Sequence, residues 1–313
     1  MKRAIQYISI MIAFMLIATV FSVYTTLDIT YRKFGVTYMT MNNPFYEVIN
    51  NELKKVIETN GDKLITLDPA LDIEKQKEQI YSFIEQKVDG IFVNPIDSQK
   101  IKPALEEAKK SNIPIIVIDA PVDDLDLATS TVVSNNYDAG VQCAKDMMKR
   151  KTSANIILLK HTAVRSAKDR IDGFLDTIKG NSSYRIINQG ECEGQLEMAM
   201  PIMQKMLKET KDVDVVMALN DPSALGAIAA LESNHRKDVI VYGVDGTPDM
   251  KLLIQKNKNV AGTVAQSPIQ IGKSASKIMY TYLAGGTIKT EEIIPVTLIT
   301  QSNIDEYDEM GWQ

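Results

Sequence analysis

Histidine and cysteine are nearly absent from this sequence, with two of each among 313 residues. Two cysteines do not make a disulfide scaffold. Cys143 falls inside a helical pattern at 139–148, where it reads as a small buried apolar residue, and a Cys143–Cys192 bridge is disfavoured. No cysteine lies near residue 20, which excludes a lipid-modified N-terminal cysteine. Of the histidines, His161 follows a strand at the edge of a possible cleft, and His235 sits in the polar loop Asn234-His235-Arg236-Lys237. The sequence has no G-x-S-x-G, no P-loop, no H-E-x-x-H and no clustered zinc spacing, so it offers neither a nucleophile motif nor a metal or cofactor site. It has no basic run in its soluble part and a formal net charge of −5, which argues against nucleic acid as a partner. Low-complexity tracts and long loops are missing too.

Long hydrophobic runs are confined to the beginning. Lys2-Arg3 precede an uncharged run from Ala4 to Leu27. About twenty apolar residues cross a bilayer, and the positive end stays in the cytoplasm. Two readings stand. Val20-Phe21-Ser22 suits a cleaved signal peptide. The length of the run, with Tyr24 and Tyr31 at an interfacial position, suits an uncleaved anchor followed by a short linker to residue 33, and this is the favoured expectation. Either way the remaining chain is extracytoplasmic.

From residue 34 onward strand and helix alternate. Strands are expected at 34–39, 63–67, 90–93, 115–118, 131–133, 155–159, 184–188, 215–218, 239–244 and 260–264. Helical patterns lie between them, including a long one at 269–283. The strands are short continuous apolar runs, as in parallel sheets covered on both faces. This predicts an α/β protein with two doubly wound parallel-sheet lobes.

The stretch from Phe34 to Tyr46 shows how such a fold presents a ligand. A buried strand runs into Asn42-Asn43-Pro44, then Phe45-Tyr46 opens a helix. Pro44 suits the first helical turn and Asn43 suits its cap. Asn43, Phe45 and Tyr46 thus stand at the C-terminal edge of a strand, where open α/β sheets bind ligands. An amide beside aromatics suits a molecule with hydroxyls on its rim and C–H groups on its faces, such as a sugar. Polar residues recur at other strand ends: Asn94, Asp119, Asn220-Asp221, Asp245 and Gln266. One such residue alone is more often a cap or turn former, but five in register across both halves form a pattern. Asp119 and Asp245 as an acid/base pair of a sugar-modifying enzyme is the weaker alternative to hydroxyl-accepting carboxylates.

These residues carry a resemblance. Asn42-Asn43-Pro44-Phe45-Tyr46, Asn94-Pro95-Ile96-Asp97, Ile115-Ile116-Val117-Ile118-Asp119, Asn220-Asp221-Pro222-Ser223, Gly243-Val244-Asp245-Gly246-Thr247-Pro248-Asp249 and Val264-Ala265-Gln266 resemble the ribose-type periplasmic sugar-binding proteins, from about Phe34 to Ile304. The resemblance implies a three-segment hinge between lobes of 34–133 plus 267–295 and 134–266 plus 296–313. It implies a monosaccharide held by Asn43, Phe45, Tyr46, Asn94 and Asp119 on one side. Arg170, Asn220, Asp245 and Gln266 would hold it on the other. It also implies a membrane partner, either the permease of an ABC importer or a sensor histidine kinase. Two departures stand out: Ala120 follows Asp119 where ribose binders have arginine, and Gly194 matches a position where they place an aromatic. The expected ligand is therefore a pentose other than ribose, a hexose or a related polyol, with an autoinducer-2-type signal as the alternative.

Overall fold

The computed structural model describes residues 7, 10–19 and 31–313. Met1–Arg32 and Lys33–Gln313 are two separate compact units. In the first, 10–19 is helical with exposed apolar side chains. Among the described residues no helix is long and apolar enough to cross a membrane, and the rest of the expected span lies outside them.

The second unit contains two six-stranded sheets. The first is ordered β11-β5-β4-β3-β1-β2, from β1 (Lys33–Thr37), β2 (Lys63–Leu67), β3 (Gly90–Val93), β4 (Ile115–Asp119), β5 (Ser130–Ser134) and β11 (Glu291–Ile294). All its pairings are parallel. The second is ordered β12-β10-β9-β8-β6-β7, from β6 (Ala154–Lys160), β7 (Tyr184–Glu191), β8 (Val215–Ala218), β9 (Ile240–Asp245), β10 (Val260–Ala265) and β12 (Thr297–Thr300). Only β12 runs antiparallel to its neighbour, β10. The chain passes between the sheets after β5, after β10 and between β11 and β12.

Burial explains the apolar runs. Every residue of β3, β4 and β8 is buried, because helices cover both faces. Each fully buried Ile or Val contributes roughly 1.5–3 kcal/mol relative to exposure. In both sheets the strand order reverses beside the first strand of the half, β1 between β2 and β3, and β6 between β7 and β8. Chains leaving the two strands there diverge to opposite faces and open a crevice at their C-terminal ends. The edge strands β11 and β12 were not expected from the sequence. Both cysteines are free thiols buried in the core.

One helix contact places the site. Helix α4 (Asn136–Arg150) packs on α5 (Arg165–Ile178) through Gly140 and Gly173. A Cβ on Gly140 would strike the carbonyl of Arg170, and one on Gly173 the carbonyl of Tyr137. Only glycine allows that backbone approach, and the approach carries Arg170 to the start of α4.

Candidate binding site

Asp119 and Asp245 are the last residues of β4 and β9. Both are buried, and both have positive φ, 65° and 145°. Side chains other than Asn, Asp and Gly seldom accept φ near 65°. The turn after each strand therefore aims the carboxylate at the cleft. Asp119 Oδ2 accepts from Asn94 Nδ2 at 3.1 Å, while Oδ1 is buried with no partner among the described residues. Asp245 Oδ1 accepts from Gln266 Nε2 at 2.8 Å, and Oδ2 from the backbone N–H of Asp221 at 3.3 Å.

Arg170 stands between the sheets' edges, 4% exposed. Its Nε donates to Asn136 Oδ1 at 2.8 Å and its Nη1 to the carbonyl of Leu219 at 2.9 Å. Nη1 lies 3.7 Å from Asp245 Oδ1. Two of its donors are thus spent on fixing the guanidinium, and among the described residues nothing accepts from Nη2.

Burial raises the pKa of Asp119 to about 6; Arg170, the Asn94 amide and the Tyr46 hydroxyl oppose that rise. Asp245 is raised well above the ordinary range, first by burial and then by the nearby Asp221 carboxylate, against Arg170 and Gln266. Asp221 is pushed to about 6 by burial, although Thr263 and the backbone of Thr247 hydrogen-bond it. Of these carboxylates Asp119 alone has an oxygen without a hydrogen-bond donor among the described residues, which a ligand hydroxyl could supply.

The asparagines show how one residue serves a helix and a site. Asn43 caps α1 (Pro44–Thr59), its Oδ1 accepting from the N–H of Phe45 at 3.0 Å, with Pro44 in the first turn as the sequence suggested. Its amide nitrogen is left for the cavity. Asn220 caps α7 (Asp221–Ser233) through Ser223 N–H at 3.0 Å and donates to the carbonyl of Gly194 at 3.0 Å. Asn220 therefore lines the cavity with its oxygen engaged and one N–H of its amide still without an acceptor among the described residues.

Phe45 and Tyr46 form an edge-to-face pair with ring centroids 5.7 Å apart, and Tyr46 stacks on Tyr38 at 5.9 Å. All the sequence-derived candidates except Asn94 line one cavity. Asn94 stands behind it, accepting from the N–H of Met39 at 3.1 Å and donating to Asp119. Its hydrogen bond holds the Asp119 carboxylate, and it does not itself line the cavity.

The cavity also takes in residues that the sequence reading left aside. Met39 and Thr40 follow β1, Ser166 and Ala167 open α5, and Glu193 and Gln195 flank Gly194. His161 lines it as well, its pKa lowered by burial against the carboxylates of Glu193, Glu191 and Asp97. Of the two departures from the ribose pattern, Gly194 borders the cavity and Ala120 does not; Ala120 is fully buried behind Asp119. Gly194 has φ of 69°. The lining holds three carboxylates, Asp119, Glu193 and Asp245, against one guanidinium. Such a lining offers acceptors to hydroxyl donors and little positive charge to an anion.

The cleft is closed at one rim by contacts between the two halves. The backbone N–H of Ser98 donates to the carbonyl of Ala163 at 3.1 Å, and the N–H of Arg165 donates to Ser98 Oγ at 3.0 Å.

Comparison with known proteins agrees with this geometry. The family described as periplasmic binding protein domain matches residues 34–287. The chain is 30% identical over 269 residues to the ribose import binding protein RbsB of Bacillus subtilis, covering 85% of this chain and 87% of that protein. It is 28% identical to the D-apiose import binding protein of Paraburkholderia graminis, covering 85% and 86%. An ABC transporter solute binding protein from Bacillus halodurans, solved with bound myo-inositol, superposes with a TM-score of 0.84 at 27% identity, over 90% of this chain and 99% of that one. These relatives are binding proteins rather than enzymes. With two parallel-sheet halves facing one polar cavity and a family match across most of its length, this chain belongs to the periplasmic binding proteins, with their type I fold.

Proposed function

We propose that this protein is an extracytoplasmic receptor that clamps a neutral monosaccharide or related polyol between lobes of 34–133 plus 267–295 and 134–266 plus 296–313. The observation that carries this reading is the buried, unpartnered Oδ1 of Asp119, facing a cavity whose opposite wall holds Arg170 and Asp245. Asp119 and Asp245 accept from hydroxyls, and Arg170 Nη2 and the Asn43 amide donate to hydroxyl oxygens. The Phe45 and Tyr46 rings cover C–H faces. Gln266 and Asn94 hold the two carboxylates in place. The recipient is the membrane permease of an ABC importer, as the import binding proteins among its relatives suggest. A sensor histidine kinase is the second reading, and the short stretch between the apolar run and residue 33 favours it if that run stays uncleaved as a membrane anchor.

Thermal-shift screening against pentoses, hexoses and cyclic polyols tests the proposal. A ligand at a hundred times its dissociation constant adds about 2.7 kcal/mol, enough to raise the melting temperature visibly. A panel without a single stabilising polyol contradicts it.

A further inference from the structure

The 308–313 segment belongs to neither sheet, yet it runs from the second half of the fold to Phe45, a residue that lines the cavity. It is fastened to α8 (Pro248–Lys256), the helix that follows Asp245. The fully buried Lys251 sends its ammonium to the carbonyls of Asp308 and Gly311, the latter at 2.6 Å. Gln255 Nε2 donates to Glu309 Oε1 at 2.6 Å. A lysine hidden from water needs such acceptors, and releasing the segment forfeits both of these hydrogen bonds.

Beyond this rivet the chain places Trp312, its single tryptophan, edge-to-face on Phe45 with centroids 5.7 Å apart. Phe45 belongs to the first half and lines the cavity; the rivet belongs to the second half. The ring contact therefore spans the cleft. Phe45 also meets Tyr46 edge-to-face. An aromatic ring with two ring partners has little freedom to swing, and edge-to-face pairs of this kind contribute beyond simple burial.

We propose that Trp312 is a positioning residue for the cavity. Held by Lys251 as the end of a strap, it fixes the pose of the Phe45 ring and favours the closed cleft. Opening the cleft must separate Trp312 from Phe45 or pull the strap from Lys251, and both losses work against opening. The proposal rests on the polyol reading for its meaning, but its geometry does not depend on which polyol binds.

The test uses the full chain carrying Lys54→Cys and Lys205→Cys, exposed positions on α1 and on α6 (Leu196–Glu209). Spin labels at these sites report the inter-lobe distance, and the two buried native thiols stay unlabelled. With no ligand present, Trp312→Ala is expected to lower the ratio of closed to open molecules at least threefold. Lys251→Met, which frees the strap but keeps the indole, is expected to do the same. Trp312→Phe, which keeps a ring, is expected to retain most of the closed population. Melting temperatures measured alongside establish that each variant is folded. A distance distribution in Trp312→Ala equal to that of the wild type overturns the proposal, and so does an equal loss in Trp312→Phe. Adding myo-inositol, D-allose, D-tagatose and D-arabinose in turn to the wild type forms a separate arm. If none of these probes shortens the distances, that counts against the polyol reading and leaves the ligand-free result standing.

Discussion

Asp119 and Asp245 are counterparts: each ends the fourth strand of its half, each is buried with positive φ, and both face the cavity that Arg170 enters. Holding a residue in a sparsely populated backbone region costs on the order of 1–3 kcal/mol. Two such places, at matched strand ends, mark where the fold spends stability on presenting carboxylates.

The first prediction concerns pH. The pKa of Asp119 in the folded protein, about 6, lies above its unfolded value. The folded state therefore holds a proton that the unfolded state has released, and the slope of stability with pH is negative across that window. The contribution is fully present below the unfolded pKa and is lost as pH rises through about 6. Ligand-free protein is expected to melt higher at pH 5.5 than at pH 7.5, and Asp119→Asn is expected to reduce that dependence, with Asp221 and Asp245 supplying the remainder in the same direction. A wild-type curve that rises across the same interval argues against the assignment.

Arg170 gives the second. It compensates Asp245 and holds Asn136 and the Leu219 carbonyl. Arg170→Ala leaves buried carboxylates without their cation, a loss of about 3–5 kcal/mol. Adding Asp245→Asn is expected to recover much of the stability but not ligand binding. Chemical denaturation of the single and double variants checks this; equal stability of the two would separate the residues energetically.

Asn94 gives the third. Because it stands behind Asp119, Asn94→Ala removes no ligand contact. It leaves the Met39 N–H and Asp119 Oδ2 without a partner, at about 1–3 kcal/mol. Affinity for a polyol is expected to fall less than in Asp119→Asn, while stability falls more. Calorimetric titration and urea unfolding of the two variants together decide the order.

The fourth concerns Gly194. Its φ is left-handed, and a Cβ there would stand 3.0 Å from Asn220 Nδ2. Gly194→Ala is expected to cost roughly 1–2 kcal/mol in backbone strain alone. Placing an aromatic here therefore does not simply restore the ribose-type wall. Thermal melts that place Gly194→Ala level with the wild type would show that the loop relaxes freely.

The alternation of strands and helices was legible because strands such as Ile115–Asp119 are buried along their whole length and so read as apolar runs. β11 and β12 escaped notice for the opposite reason. Glu291-Glu292-Ile293-Ile294 is a half-exposed edge whose letters neither alternate nor run apolar, and Pro295 separates it from β12. The strand-end residues were legible because polar side chains interrupt apolar runs there. Their division of labour was not. That Asn220 also ties down the Gly194 carbonyl, and that Asn94 supports Asp119, depends on hydrogen bonds between residues 26 and 25 positions apart. Nor does the sequence show Trp312 reaching Phe45 across the whole chain.

The central claim is that Asp119 and Asp245 bind the hydroxyls of a neutral polyol from opposite sides. Calorimetric titration of the wild type, Asp119→Asn and Asp245→Asn with the best stabiliser from the polyol screen tests it most directly. Each charge-assisted acceptor is worth about 1.5–3 kcal/mol, so each substitution is expected to weaken binding by roughly tenfold or more while the protein stays folded. Wild-type affinity in both variants would contradict the account.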